Sequence, residues 1–175
     1  DKPNGDFFYA VPYDTDEISY LVKIDVKIDD LSELAPVHNH PHALALRACK
    51  KVIPATTPQV VVFDTAFHQT IPQKAFMYGF PYEDYEQFHV RKYGFHGTSH
   101  RFVTAKLAEV MGRDLKDLKV VSCHLGNGSS ITAVQDGKSV DTTMGFTPLD
   151  GVLMGTRCGA VDPSAVTYVA GKHGF

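Results

Sequence analysis

The run His124-Leu125-Gly126-Asn127-Gly128-Ser129-Ser130 sets two glycines among imidazole, amide and hydroxyl side chains, between two stretches with strand-like patterning. Glycine lets backbone N–H groups approach an anion closely, and successive amides in a tight turn form a concave nest for phosphate oxygens. The competing reading is a plain hairpin whose glycines only supply positive φ. The imidazole at the strand exit, and the ordinary Asp136-Gly137 turn elsewhere in the chain, favour the phosphate cradle. It is not a Walker A loop, because no Gly-Lys-Ser/Thr comes after it.

Three further groups have chemistry of the same kind. Gly94-Phe95-His96-Gly97-Thr98-Ser99-His100 places imidazoles before and inside a helix start, where backbone amides already favour negative charge. Gly155-Thr156-Arg157-Cys158-Gly159 holds an arginine between glycines, free to fork onto a carboxylate or phosphate. Asp64 comes after an apolar β-branched run and has three readings: general base, ligand to a metal-bound water, or helix cap. Zinc is disfavoured, since no His-Glu-x-x-His pattern and no cysteine pair stands at a ligand spacing. His38, His40 and His42 surround Pro41 and are expected to be solvated. The scattered Cys49, Cys123 and Cys158 suit neither a disulfide framework nor a zinc ribbon, and are expected as small packing residues.

Periodicity indicates the elements that must position these groups. Phe7–Val11 and Ile18–Ile28 alternate as strands. Ala35–Pro41 reads as a turn with Asn39 as N-cap, leading into a buried helix through Ala43, Leu44, Leu46, Ala48 and Cys49. Gln59–Asp64 reads as a parallel strand whose carboxyl end presents Asp64. Residues 72–87 read as a loop-rich connection. Thr98 or Ser99 is the expected cap of a helix with Phe102, Val103, Leu107, Val110 and Met111 on its inner side, closed by Gly112. A three-stranded antiparallel meander comes next, Leu118–His124, Ser130–Val134 and Val140–Met144. A lobe boundary is expected near Phe67, giving 1–66 and 67–175.

The 175 residues are 43% apolar and 21% charged, the profile of a globular protein. Seventeen basic against twenty acidic residues give a net charge of −3, with no electrostatic footprint for nucleic acid or an anionic membrane. No apolar run suits a spanning helix and Asp1–Gly5 do not form a basic leader, so the expected compartment is the cytoplasm.

Phe63-Asp64-Thr65-Ala66-Phe67-His68-Gln69-Thr70, Gly94–His100, His124–Ser130 and Met144-Gly145-Phe146-Thr147-Pro148-Leu149 through Arg157 together resemble the acetate kinase family, which includes propionate and butyrate kinases. The resemblance extends from about Leu34 to Pro163. It implies an α/β, actin-like and sugar-kinase-like (ASKHA) two-lobed fold, incomplete here, with ATP and a short carboxylate meeting between the lobes. It implies reversible transfer from ATP to acetate giving acetyl phosphate and ADP, with Mg²⁺, and a cytoplasmic homodimer. The family's essential aspartate falls on Asp64, its phosphoryl-steadying histidine on His96 and its arginine on Arg157. The ATP phosphate loop falls on His124, Leu125, Gly126, Asn127 and Gly128, and the acyl pocket on Val37, Phe95 and Pro148. Val37 stands where leucine is common, and one methylene there is worth about 1–3 kcal/mol of discrimination, which leaves a propionate preference as an alternative.

A carboxylate nucleophile is already ionised at neutral pH, so Asp64 is expected to orient groups or hold a magnesium-bound water rather than accept a proton. The family's opening Asn-x-Gly-Ser-Ser-Ser turn, phosphate-binding lysine, second arginine, magnesium-binding glutamate and adenosine pocket are not found in these residues. Ala160 replaces a usual acidic residue and Cys158 a common serine. The chain is therefore expected to be a piece of a longer protein. Against the kinase stand a non-catalytic piece that only binds nucleotide phosphate and, more remotely, a metal-dependent hydrolase.

Overall fold

The computed structural model describes residues 7–12, 18–24, 36–54, 56–57 and 60–175. The chain divides into two compact units, residues 1–63 and 64–175.

In the first unit, β1 (Phe7–Pro12) lies centrally, antiparallel to β2 (Ile18–Ile24) and parallel to the two-residue β3 (Val60–Val61). The parallel strand is thus shorter than the expected 59–64, and Gln59 lies outside the described residues. Helix α1 (Pro36–Val52) starts three residues before the expected Asn39 cap and carries Pro41 within it. Pro41 lies past the first turn, so it leaves one helical carbonyl without its N–H donor. The helix is not buried throughout: Ala43 is, but Leu44 and Ala48 face outward, while His40 and His42 are exposed. Lys50 and Lys51 lie in its last turn, complementing the helix dipole.

The second unit begins at Asp64, so this residue groups with the 3₁₀ helix after it rather than with β3. That 3₁₀ helix (Ala66–Thr70) leads into α2 (Gln73–Phe76) and α3 (Tyr82–Phe88), in the stretch expected to be loop. Aromatic packing forms these short helices. Phe76 and Tyr85 meet at 5.5 Å between ring centroids, and the Arg91 guanidinium lies 3.7 Å from the Phe76 ring. Helix α4 (Gly97–Met111) begins before the expected Thr98 or Ser99 cap, with His96 in the cap position, and ends at Gly112, as expected. A second 3₁₀ turn (Leu115–Asp117) enters the antiparallel meander β4 (Lys119–Leu125), β5 (Ser129–Gln135) and β6 (Lys138–Thr142). Asp136 and Gly137 both have positive φ, the type I′ geometry that suits the twist of a hairpin. Helix α5 (Pro163–His173) closes the unit, capped by Asp162, whose carboxylate accepts the Ser164 N–H at 2.8 Å.

The inner face of α4 differs from the expectation. Gly97, His100, Thr104 and Ala108 are the buried residues, whereas Phe102, Val103, Leu107, Val110 and Met111 all face outward. The meander buries hydroxyls: Ser122 and Ser130 meet His100 of α4, Ser139 meets His68 of the 3₁₀ helix, and Ser129, Thr132 and Thr142 are buried beside them. A helix that must approach a hydroxyl-bearing sheet closely presents small and hydrogen-bonding residues, and this constraint overrides hydrophobicity in deciding which side turns in. Cys123 and Cys158 are exposed and Cys49 partly so, so none of the three is fully packed into the interior.

Candidate functional site

Asp64 sits at the start of α4 without being part of it. Its Oδ2 accepts the His96 backbone N–H at 2.6 Å, and its carbonyl accepts the Gly97 N–H at 2.8 Å. The carboxylate therefore lies at the positive end of the α4 dipole. The helix-cap reading of Asp64 and a site role are compatible, because the side chain remains exposed with Oδ1 outside this bond. A Cβ at Gly97 would strike the Asp64 carbonyl, so only glycine permits the approach.

His96 adopts a left-handed backbone (φ 58°), an uncommon conformation for a residue with a side chain. That turn directs its ring away from the helix. The imidazole stacks on His124, with centroids 3.9 Å apart and planes 20° from parallel, and its Nδ1 is 2.9 Å from Ser130 Oγ. His124 is held in turn by Ser99 Oγ, 2.8 Å from its Nδ1.

The turn between β4 and β5 spans Gly126-Asn127-Gly128, closed by the Gly126 N–H donating to the Gly128 carbonyl at 3.0 Å and by the Ser129 hydroxyl donating to the Gly126 carbonyl at 3.2 Å. Neither glycine is among those with positive φ, so the plain-hairpin reading loses its premise. Space explains Gly128 instead. A Cβ there would lie 3.0 Å from His96 Nε2 and 3.4 Å from Arg157 Nη1. The missing side chain is what lets an imidazole and a guanidinium lie over the same stretch of backbone.

Arg157 is half-buried, its Nη1 donating to the Pro148 carbonyl at 3.1 Å and lying 3.7 Å from Met154 Sδ. With no carboxylate partner among the described residues, the guanidinium retains donors for an anion. The structure thus brings Asp64, His96, His124, Gly128 and Arg157 together, with Pro148 beside Arg157. Leu125, Gly126 and Asn127 form the exposed rim of the turn. Phe95 is half-buried next to His96 in the chain. Val37 belongs to α1 in the other unit, and its side chain lies outside the described residues.

His100, expected to share in an anion clamp, does not reach the site surface. It is fully buried, with Nδ1 2.9 Å from Ser122 Oγ and Nε2 2.7 Å from Ser130 Oγ. Burial, reinforced by the neighbouring imidazoles of His68, His96 and His124, pushes its pKa down to about 4. Desolvation also lowers that of His96, with His124 and Arg157 acting in the same direction against Asp64. His68, not singled out by the sequence, is another buried supporting residue. Its Nε2 donates to the Phe95 carbonyl at 2.9 Å, which makes Nδ1 the acceptor from the Ser139 hydroxyl, also at 2.9 Å. It pins the residue before His96. The available signal was the hydroxyl-rich β5 and β6 facing a histidine-rich segment, a pattern easily read as ordinary strand polarity.

Among the described residues no three His, Cys, Asp or Glu side chains converge as a metal cage. Magnesium needs no such cage when it arrives on a nucleotide, since it takes one or two carboxylates with phosphate oxygens and waters. The exposed Asp64 carboxylate, with one oxygen free of the α4 amide, fits a water-bridged contact of that kind.

The Acetokinase family profile matches residues 15–175. Acetate kinase 2 of Clostridium perfringens is 58% identical over 148 residues, covering 85% of this chain and 37% of the relative. The acetate kinase of Bacillus subtilis gives the same figures, 58%, 85% and 37%. Among solved structures, the Porphyromonas gingivalis acetate kinase superimposes with a TM-score of 0.72 at 40% identity, over 85% of this chain and 37% of that one. A propionate kinase from Francisella tularensis superimposes at 0.73 with 47% identity, over 85% and 38%. The chain spans under two-fifths of the length of these relatives, within their α/β, ASKHA-type fold. With the family profile running through nearly all of it, and relatives this similar, the chain belongs to the acetokinase family.

Proposed function

We propose that this chain carries the phosphoryl-transfer face of an ATP:carboxylate kinase that takes acetate as acceptor and forms acetyl phosphate and ADP reversibly. The observation that supports this best is the convergence of His96 Nε2 and Arg157 Nη1 over Gly128, beside the carboxylate of Asp64. An acetate oxygen attacks the γ-phosphorus, a new P–O bond forms, and the bond to the β–γ bridging oxygen breaks. No proton moves, because the acceptor is already ionised. The work left to the protein is to bring two anions together and to balance the charge on the transferring group.

Each residue has a part in that work. The turn at Gly126–Gly128 supports the nucleotide phosphates, with His124 at its entrance. His96 and Arg157 donate to equatorial phosphoryl oxygens from one side. Asp64 orders the His96 backbone and offers its second oxygen to a magnesium-bound water, and the ion itself supplies further neutralisation of the phosphates. The acyl pocket at Pro148, Phe95 and Val37, and a cytoplasmic homodimer as the functional form, are readings that rest on the family alone.

The test puts this chain in place of the matching segment of the Bacillus subtilis acetate kinase and measures hydroxamate-trapped acetyl phosphate from acetate and MgATP. Activity in the exchanged enzyme, lost with Arg157→Ala, supports the kinase. An inactive but folded exchange that still binds MgATP supports the competing view of a phosphate-binding piece. Propionate in place of acetate reads the acyl preference.

A further inference from the structure

Beneath His96 lies a row of buried groups that the transfer reaction does not touch: Ser130, His100 and Ser122, which are 0%, 0% and 4% exposed. They are linked end to end. Ser122 Oγ lies 2.9 Å from His100 Nδ1, His100 Nε2 lies 2.7 Å from Ser130 Oγ, and Ser130 Oγ lies 2.9 Å from His96 Nδ1. We propose that this row is a proton-ordered relay that holds His96 as the tautomer with its hydrogen on Nε2, the nitrogen facing Gly128.

Counting hydrogens leads to this arrangement. A serine hydroxyl has one proton to donate, and a neutral imidazole has one N–H and one lone pair. His100 is neutral here, since it is sealed from water with hydroxyls, not carboxylates, at both nitrogens. Three arrangements therefore satisfy the three contacts. In the first, Ser122 donates to His100 Nδ1, His100 Nε2–H donates to Ser130, and Ser130 donates to His96 Nδ1. Every proton is used, and the hydrogen of His96 is left on Nε2. In the second, all three bonds reverse. His96 then carries Nδ1–H, its Nε2 becomes a lone pair facing the site, and the Ser122 proton points at nothing. In the third, Ser130 accepts from both His100 Nε2–H and His96 Nδ1–H, and its own proton points at nothing.

The two serine protons decide among them. Among the described residues the Ser122 hydroxyl has one side-chain contact, His100, and no other partner. The second arrangement strands the Ser122 proton and the third the proton of Ser130, whose side-chain contacts among the described residues are the two imidazoles, and both hydroxyls are buried; the first strands none. The ionisable groups around His96 are the stacked His124, the Asp64 carboxylate on its backbone amide, Arg157 across Gly128, and the inner His68 and His100. None of these contacts Nδ1, so the relay is the direct bias on that nitrogen.

The consequence for chemistry rests on the kinase reading: a neutral imidazole held as an Nε2–H donor contributes a hydrogen bond to an anionic phosphoryl oxygen without first having to bind a proton. A lone pair in that place would repel it. Ser130, His100 and Ser122 are then positioning residues that act through His96.

The test is the ¹⁵N NMR spectrum of the 175-residue chain labelled on histidine nitrogens, at mildly alkaline pH, with His96 assigned by the signals missing from His96→Gln. The expected result is a protonated Nε2 and an unprotonated Nδ1. A protonated Nδ1 overturns the relay, with no variant needed. Ser122→Ala removes the distant proton without touching His96, and is expected to shift His96 measurably towards the Nδ1–H form; an unchanged tautomer overturns the coupling. In the exchanged Bacillus subtilis enzyme the same substitution is expected to lower kcat about tenfold with the KM for acetate unchanged. The two readings fail separately. An Nε2–H signal beside an inactive exchange keeps the relay and removes the kinase, and an Nδ1–H signal beside an active one does the opposite.

Discussion

The two sides of α4 reverse the usual arrangement. The inward side carries Gly97, His100, Thr104 and Ala108, with Gly97 against Asp64 and His100 bonded to buried Ser122 and Ser130, while Phe102, Val103, Val110 and Met111 face outward. On β4 the alternation is the same, with Ser122 inward and Val121 and Leu125 outward, 69% and 72% exposed. The inward side is therefore specified by hydrogen-bond pairing and close approach, and the outward side by apolar character alone. Polar pairing demands one geometry, so the inward side should tolerate little change. The outward side of this chain should tolerate a great deal.

The largest effect tests whether the inward network ends in a working rim. In the exchanged enzyme, Arg157→Ala is expected to reduce acetyl phosphate formation by on the order of 10³ to 10⁵. A loss smaller than tenfold in the hydroxamate assay would detach the rim from the chemistry.

Next in size is the response to acid. The folded-state pKa of His100 is about 4 against 6.5 for the free side chain. Between those values the unfolded chain binds a proton that the native state refuses. Stability is thus fully present above pH 6.5 and is lost as pH falls towards about 4, by up to about 3 kcal/mol from this residue. His68 and His96, also lowered, act in the same direction. Urea midpoints measured across that range should fall steadily with acid, and His100→Gln should flatten the slope. A flat wild-type profile would show that the inward histidines are not held neutral.

Ser139→Ala comes third. It deprives His68 Nδ1 of its donor at a site with no solvent access, an expected cost of about 1–3 kcal/mol by urea unfolding. The smallest effect sharpens the other half of the contrast. Val110→Ser and Val121→Ser, both on outward faces, should each change the stability of this chain by less than about 0.5 kcal/mol. A cost as large as that of Ser139→Ala would mean that the outward apolar faces are already packed.

The fold departs from its local signals along the same line. Helix α4 and its closure at Gly112 were legible, because length, periodicity and a terminal glycine are local signals. Its orientation was not. Ranking Phe102 and Val110 above His100 and Thr104 for burial assumes that the partner surface is apolar, and the partner is a sheet face of serines and threonines. Similarly, residues 72–87 resemble a loop because α2 and α3 are only four and seven residues long and depend on aromatic contacts made elsewhere in the unit.

By themselves the residues determined the chemical inventory: a glycine turn able to meet an anion, an arginine between glycines, two histidines bracketing a helix start, an aspartate after an apolar run, and an order of motifs that indicates the family. Residue types and spacings are local properties, and these are local statements. Tertiary packing alone decided that His96 turns towards Gly128 while His100 turns into the interior, although the two are about one helical turn apart. It also decided that Gly128 is required for space rather than for its backbone angle. Which way a side chain faces depends on what lies opposite, and the serines of β4 and β5 come from elsewhere in the chain.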